Sequence, residues 1–484
     1  MEKFLKDQGL NGTSYRFISG DLKEMVHMIT EAQSKPMNLT HDIAPRVLPF
    51  YHKSLTTLGK NCFTWLGAKP VVHVCEPSMV REILANYRKF QRSRRRNPLL
   101  KLLVSGLLDV EGDQWVKHRK IINPAFHMEK LKHMVDAFYV SCSDMIEKWE
   151  KLVNKEGSCE VDVCPYLEAF SSDVISRTAF GSSFEEGRKI FQLQKEQARR
   201  AVKVFSSVYI PGFRFLPTKN NKKMKEINRE VNGLVRNIIN KRVDAMKDGK
   251  ASHDDLLGIL LDSNNNEIKE HGNNNFGLTT DEVIEECKLF YFAGQETTSS
   301  MLVWTMILLG LHLEWQTRAR DEVLHVLGDK KPDIDLLSQL KVMNIIFNEV
   351  LRLYPSIVSM TRQVYEETKL GNLTLPAGSL VQINTLMLHH DRDMWGDDVL
   401  EFKPKRFSEG ILKATTNGQA AYLPFSGGPR ICVGQNFAIV EAKLCLAMIL
   451  QHFSFEVSPS YSHAPYTIPT LQAQFGAHLI LQKL

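Results

Sequence analysis

The segment running from Thr279 to Leu313 limits what this chain can fold into more than any other. From Ile284 to Leu313 it is apolar on nearly every side. A helix of that kind is either enclosed in a large core or set in a membrane. Its start is sharply marked: Thr279 followed by Glu282 predicts a capping box, and Asp281 suits the positive end of the helix dipole. Lys288, Gln295 and Glu296 interrupt the run. A charge at the centre of a membrane span costs at least ~2.5 kcal/mol, so the segment reads as a core helix. A chain of 484 residues with 43% hydrophobic content can enclose it. No Pro-, Gly- or Ser-rich linker divides the chain and no block repeats, so residues 1–484 are expected to form a single domain.

Helical periodicity continues on both sides. Leu131–Val153 carries apolar residues at three-to-four spacing, Glu226–Met246 repeats the pattern with charges on its other face, and Asn436–Leu450 is an apolar helix. The Asn-rich stretch 263–275 predicts an exposed loop. Val71–Cys75 and Leu380–Leu386 have strand character, the latter after the turn Pro376-Ala377-Gly378. The fold class is therefore mainly α with small β-sheets.

Net charge is +6, far short of a nucleic-acid coat, so no nucleic-acid partner is expected. The densest basic run is Arg92-Ser93-Arg94-Arg95-Arg96. It reads either as a solvated loop or as a contact for an acidic partner, an acidic substrate or an anionic membrane. Eight cysteines are scattered without a CxxC pair, which argues against a zinc cluster and fits a reducing compartment. The N-terminal MEKFLKDQGLNG has no hydrophobic signal region. Three N-x-[ST] triplets, at Asn11, Asn38 and Asn372, would go unused in the cytosol.

The strongest chemical signal is Phe425-Ser426-Gly427-Gly428-Pro429-Arg430-Ile431-Cys432-Val433-Gly434. A lone cysteine is ordinarily a core residue. Here two glycines and a proline force an irregular loop, Gly434 lets another group approach the backbone, and a helix follows at once. A thiolate at a helix N-terminus is stabilised by free N–H groups and the dipole, and a buried one needs a cation or metal. Arg430 is a partner for an anionic cofactor group such as a haem propionate. A second constellation, Ala293-Gly294-Gln295-Glu296-Thr297-Thr298, sits inside the apolar helix. Its bland reading is a threonine bonding back to the preceding turn and a glutamate reaching a surface. Its functional reading gives Gly294 as room for dioxygen and Glu296 and Thr297 as a proton relay. Glu349 and Arg352 lie one turn apart among apolar neighbours, which argues for a buried pair needing a third partner. Trp115 and Arg119 share a helix face. His389-His390 lacks a third ligand and, read as strand, faces two sides; the pair reads as structural.

The loop FxxGxRxCxG resembles the signature of the cytochrome P450 family, and AGxETT, ExxR, PxRF and WxxxR segments follow the family's order. FYFAGQETT, PSYSHAPY and SYRFISGDLKE resemble the plant branch that includes secologanin synthase and 7-deoxyloganic acid hydroxylase, along with triterpenoid, gibberellin and cytokinin oxidases. The resemblance implies the cytochrome P450 fold, with haem b (iron protoporphyrin IX) buried between two long helices. It implies Cys432 as iron ligand, Glu296 and Thr297 as catalytic residues, and Trp115, Arg119, Arg362, Phe425, Arg430 and Gly434 as haem contacts. Arg406 of the PxRF segment becomes the third member of a structural triad with Glu349 and Arg352. The departure at Lys405, where many relatives carry Glu, falls outside that triad.

The implied chemistry is insertion of one oxygen atom from dioxygen. Electrons would come from NADPH through NADPH–cytochrome P450 reductase, since the chain has no nucleotide-binding fingerprint of its own. By family position the pocket draws on segments near 97–112, 203–216, 290–298, 356–360 and 471–475, in particular Ala293, Ser356, Ile357, Val358 and Leu471. Its apolar character suits a terpenoid, and the arginines at 92–96 favour an acid, so an iridoid glucoside of the loganic acid type is expected. Triterpenoid, gibberellin or other hormone hydroxylation is the alternative, and a reductase-independent peroxide-using or rearranging enzyme is the alternative class. The resemblance further implies a monomer on the cytosolic face of the endoplasmic-reticulum membrane, with the family's N-terminal anchor missing from this chain.

Overall fold

The computed structural model describes every residue except 93–96, 154–156, 182–183, 208–211, 250–254, 272–276 and 417–421. The three outer arginines of the basic run lie outside the described residues.

The apolar segment forms one helix, Thr280–Leu311, buried along almost its whole length. Its capping box is complete: Thr279 N–H donates to Glu282 Oε2 at 2.8 Å and Glu282 N–H to Thr279 Oγ1 at 3.2 Å. The helix stops at His312, and Leu313, expected inside it, starts the next helix, Leu313–Val326, half exposed. The buried charge within it is met by partners rather than by lipid. Lys288 Nζ donates to Glu285 Oε1 at 2.9 Å and to Asn228 Oδ1 at 2.8 Å. Among the described residues no helix is long and apolar enough to cross a membrane.

Helices surround this axis. Cys164–Phe180 packs along it most extensively, and Lys219–Lys247, Lys341–Leu353 and Gln435–His452 add further sides. The periodicity at 131–153 resolves into Met128–Lys132 and Val135–Val153. Of the expected loop 263–275, residues 263–271 are helical and complete Leu256–His271, while 272–275 lie outside the described residues. Buried Leu256, Leu257, Ile259 and Leu260 carry that helix, and Asn264 is turned inward to bond both backbone groups of Leu278. Polar composition misled there because one asparagine caps the chain it lies against.

The largest sheet has five strands in the order Asn11–Gly12, Cys62–Leu66, Lys69–Val74, Leu380–Ile383, Met360–Gln363. Lys69–Val74 and Leu380–Ile383 run parallel, with Val71 opposite Leu380. The second of these strands ends at Ile383, three residues early, because Asn384 leads into a helix, Thr385–His389. His389 and His390 therefore close a helix rather than sit on a strand. A three-stranded sheet joins Ser158–Asp162, His478–Lys483 and Phe453–Val457, and Pro465–Thr467 pairs with Leu471–Ala473 in a hairpin.

Candidate functional site

The Cys432 loop is shaped by two backbone demands. Gly428 has φ +65°, and a Cβ there would fall on the Leu84 carbonyl, so no other residue fits. Ser426 takes φ 65° without being glycine, a conformation that such residues seldom adopt. The turn closes when Cys432 N–H donates to the Phe425 carbonyl at 3.0 Å. The helix Gln435–His452 begins three residues later. Cys432 presents open surface, yet protein crowds it. Burial pushes its thiol pKa up, while the Gly434 N–H and the Arg119 guanidinium pull it down. All eight cysteines are free thiols.

Arginines collect beside this loop. Arg119 Nη1 donates to the Ile431 carbonyl at 2.8 Å. Its helix, Gly112–Ile122, is pinned to the long helix by His118 Nδ1 and Glu286 Oε1, 2.5 Å apart with both residues buried. Arg430 lies 4.7 Å above the Trp115 ring and donates through Nη2 to Glu111 Oε2 at 2.5 Å and to the Val110 carbonyl at 3.0 Å. Glu111, which the sequence did not single out, also accepts the Arg92 N–H at 2.8 Å and feels the charge of Arg362, itself buried. Burial nevertheless outweighs these cations and holds the Glu111 pKa above its ordinary value.

On the long helix, Ala293 and Thr297 keep part of their surface open while Gln295 and Glu296 are buried. Thr297 Oγ1 donates back to the Ala293 carbonyl at 2.7 Å, the bond that loosens a helix at such a point. Glu296 turns the other way: its Oε2 accepts from Gln472 Nε2 at 2.6 Å and from Thr470 Oγ1 at 3.3 Å. The two side chains thus share no direct hydrogen bond. Burial raises the Glu296 pKa to about 7, with the Glu168 carboxylate adding to the effect. A Cβ on Gly294 would stand 2.9 Å from Ile175 Cδ1, so the glycine also lets Cys164–Phe180 pack close.

The buried pair is fully enclosed. Arg352 Nε and Nη2 each reach a Glu349 oxygen at 2.8 Å. The third partner binds the carboxylate, since two guanidinium groups have no acceptor to share. Arg406 Nε lies 3.4 Å from Glu349 Oε1, and Lys403 N–H donates there at 2.9 Å. The remaining Arg352 donors end on the carbonyls of His389, Val399 and Glu401. Lys405 is exposed and outside this network. His389 Nε2 accepts the Leu423 N–H at 2.8 Å, which ties the same network to the start of the cysteine loop.

Of the expected pocket residues, Ile357 is exposed and Val358 buried. Ser356 is turned to the Thr297 carbonyl at 3.2 Å. Leu471 is buried, and its carbonyl accepts from Ser300 Oγ and Trp304 Nε1.

The structure thus holds a desolvated thiol on a glycine loop with arginines beside it, and a hydroxyl and a carboxyl on the long helix. The Cytochrome P450 family matches residues 44–474, and the chain belongs to that family as a monooxygenase. It is 60% identical to Cytochrome P450 CYP72A219 of Panax ginseng over all of this chain and 93% of that one. It is 52% identical to secologanin synthase 2 and 52% identical to 7-deoxyloganic acid hydroxylase, both of Catharanthus roseus, over all of this chain and 92% and 94% of theirs. The fold matches that of retinoic acid bound cyanobacterial CYP120A1 with TM-score 0.80 at 24% identity, covering 98% of this chain and 99% of that one.

The family's cofactor is haem, and the residues present fit it. Buried Arg430 Nε has no acceptor among the described residues, as expected of a donor meant for a carboxylate from outside the chain. Gly434 has ordinary φ, and a Cβ there would meet nothing nearer than Phe126 at 3.6 Å. Neither backbone nor protein packing calls for that glycine, whereas a flat group against the loop would.

Proposed function

We propose that this chain oxidises a plant terpenoid, an iridoid acid glucoside of the loganic acid type, with Cys432 as the iron ligand. The observation that carries the reading is the Cys432 loop: its turn is closed by the Cys432 N–H on the Phe425 carbonyl, and burial raises the thiol's proton affinity against the pull of the Gly434 N–H and Arg119, so a bound cation is what would stabilise the thiolate there. When bound, the haem supplies the activation of dioxygen and the insertion of one oxygen atom into substrate. Electrons come from NADPH through a separate reductase.

The chain's own residues bind, orient and move protons. Trp115, Arg119, Arg362 and Arg430 form a cationic and aromatic edge suited to propionates. Phe425 and Gly434 shape the loop against the ring. Glu349, Arg352 and Arg406 brace the loop from behind. Glu296, with a pKa of about 7, exchanges protons at working pH. The Thr297 hydroxyl, which donates to Ala293 O, is the second member of the relay in this reading, with no direct hydrogen bond joining it to Glu296.

Substrate class rests on full-length likeness to two relatives named for iridoid chemistry. The family resemblance supports a monomer on the cytosolic face of the endoplasmic reticulum. Titration of the purified enzyme with iridoid acid glucosides, triterpenoid acids and gibberellins, read as the haem spin-state change, tests the substrate. An iridoid acid is expected to give the tightest response. A response confined to the other two classes overturns the assignment.

A further inference from the structure

The hairpin Pro465–Ala473 meets the long helix at two neighbouring turns. Leu471 is the fixed point. Its carbonyl takes bonds from Ser300 Oγ at 2.5 Å and Trp304 Nε1 at 3.0 Å, and its N–H reaches the Ser356 carbonyl at 3.0 Å. The residues on either side of it, Thr470 and Gln472, aim their side chains one turn back along the helix, at Glu296. Both bonds end on the same oxygen, Oε2.

We propose that Gln472 and Thr470 are positioning residues for proton delivery: they hold Glu296 Oε2 as acceptor and leave Oε1 as the oxygen that carries the proton. A neutral carboxyl has one oxygen that accepts and one that bears hydrogen. Two donors converging on Oε2 decide which is which. The proton is then loaded and released on one defined side of the carboxyl. The same pair favours the ionised form, since hydrogen bonds to a carboxylate are the stronger kind, and so limits how far burial raises its proton affinity.

Other groups complete the setting. Glu168 of Cys164–Phe180 repels the carboxylate, and Lys195 of the next helix, paired with Glu168 at 2.6 Å, partly offsets it. Tyr466 lies opposite Gln472 across the hairpin and senses Glu168, Glu296 and Arg199. The hairpin therefore surrounds the proton carrier with groups that respond to its charge.

This inference rests on reading Glu296 as the proton carrier, and the two ideas fail separately. Infrared pH-difference spectra of the substrate-free, haem-loaded enzyme report the carboxyl directly; Glu296→Gln identifies its band by removing it. Gln472→Leu is expected to raise the midpoint of that band by about one pH unit, a tenfold gain in proton affinity. Thr470→Val, nearly isosteric, shifts it the same way by less and stands in if the first variant fails to fold. A purely structural hairpin role lowers the melting temperature and leaves the midpoint unmoved in both variants, which overturns the proposal. If the midpoints move but Glu296→Gln leaves the ratio of hydrogen peroxide to NADPH unchanged, the positioning holds and the relay reading of Glu296 is wrong.

Discussion

Arg430 and Glu111 form an ion pair at 2.5 Å with 4% and 2% of their side chains exposed. Breaking a buried pair from one side costs about 3–5 kcal/mol, because the remaining charge loses its partner. Glu111→Leu is therefore expected to lower the melting temperature and to release haem more readily. Haem content per chain and thermal unfolding measure both. Glu111→Gln, which keeps a hydrogen-bond acceptor, should lie between that variant and the parent.

A second buried carboxyl predicts a pH effect. Glu441, on Gln435–His452, has no exposed surface and, among the described residues, no hydrogen bond to either oxygen. Burial raises its pKa from 4.5 to about 8, with the nearby Ser171 and Thr298 hydroxyls offsetting little. The folded form thus binds its proton more tightly than the unfolded chain. Its contribution is full below pH 4.5 and is lost as pH rises through about 8. Glu441→Gln has no proton to lose, so the variant should gain on the parent across that window by roughly 3–6 kcal/mol. The buried histidines act with the opposite sign in acid and are common to both proteins, so they cancel in the difference. Unfolding by denaturant at several pH values gives the comparison; parallel curves would exclude the assignment.

Gly294 and Ile175 make a packing prediction. Gly294→Ala places a methyl against Ile175 Cδ1, an overpacking that costs about 1–3 kcal/mol. Adding Ile175→Val removes the nearer of two obstructing carbons, Cδ1, and leaves Cγ1 at 3.0 Å, so it should restore part of the loss in stability and turnover. A glycine kept as room for dioxygen would give no such rescue.

Thr297→Val keeps shape while deleting the hydroxyl that bonds Ala293 O. NADPH consumption should persist while product formed per NADPH falls and hydrogen peroxide rises, with the fall up to about a hundredfold. The spectrum of the reduced, CO-bound protein should stay that of a thiolate ligand, whereas Cys432→Ser should lose it.

What could be read from the chain follows the range of the interactions. The capping box of Thr279 and Glu282, the Thr297 back-bond and the Glu349–Arg352 pair each span four residues or fewer, so spacing alone disclosed them. The cysteine loop is equally local. Glu111 was invisible because its meaning depends on Arg430, far along the chain, and nothing at 111 marks it. The packing role of Gly294 was hidden for the same reason, since its neighbour Ile175 belongs to another helix. The 263–271 segment shows a further limit: composition favoured a loop, while burial of four apolar residues just before it favoured a helix and won.

The parallel pairing of Val71 with Leu380 joins positions roughly three hundred residues apart. A ribosome adding about 5–20 residues per second needs roughly 15–60 seconds to supply the second strand after the first. Through that interval Lys69–Val74 exists with one edge unmet, and the cysteine loop has not yet been made. The Cys432 loop, made later still, can be completed only near the end of synthesis.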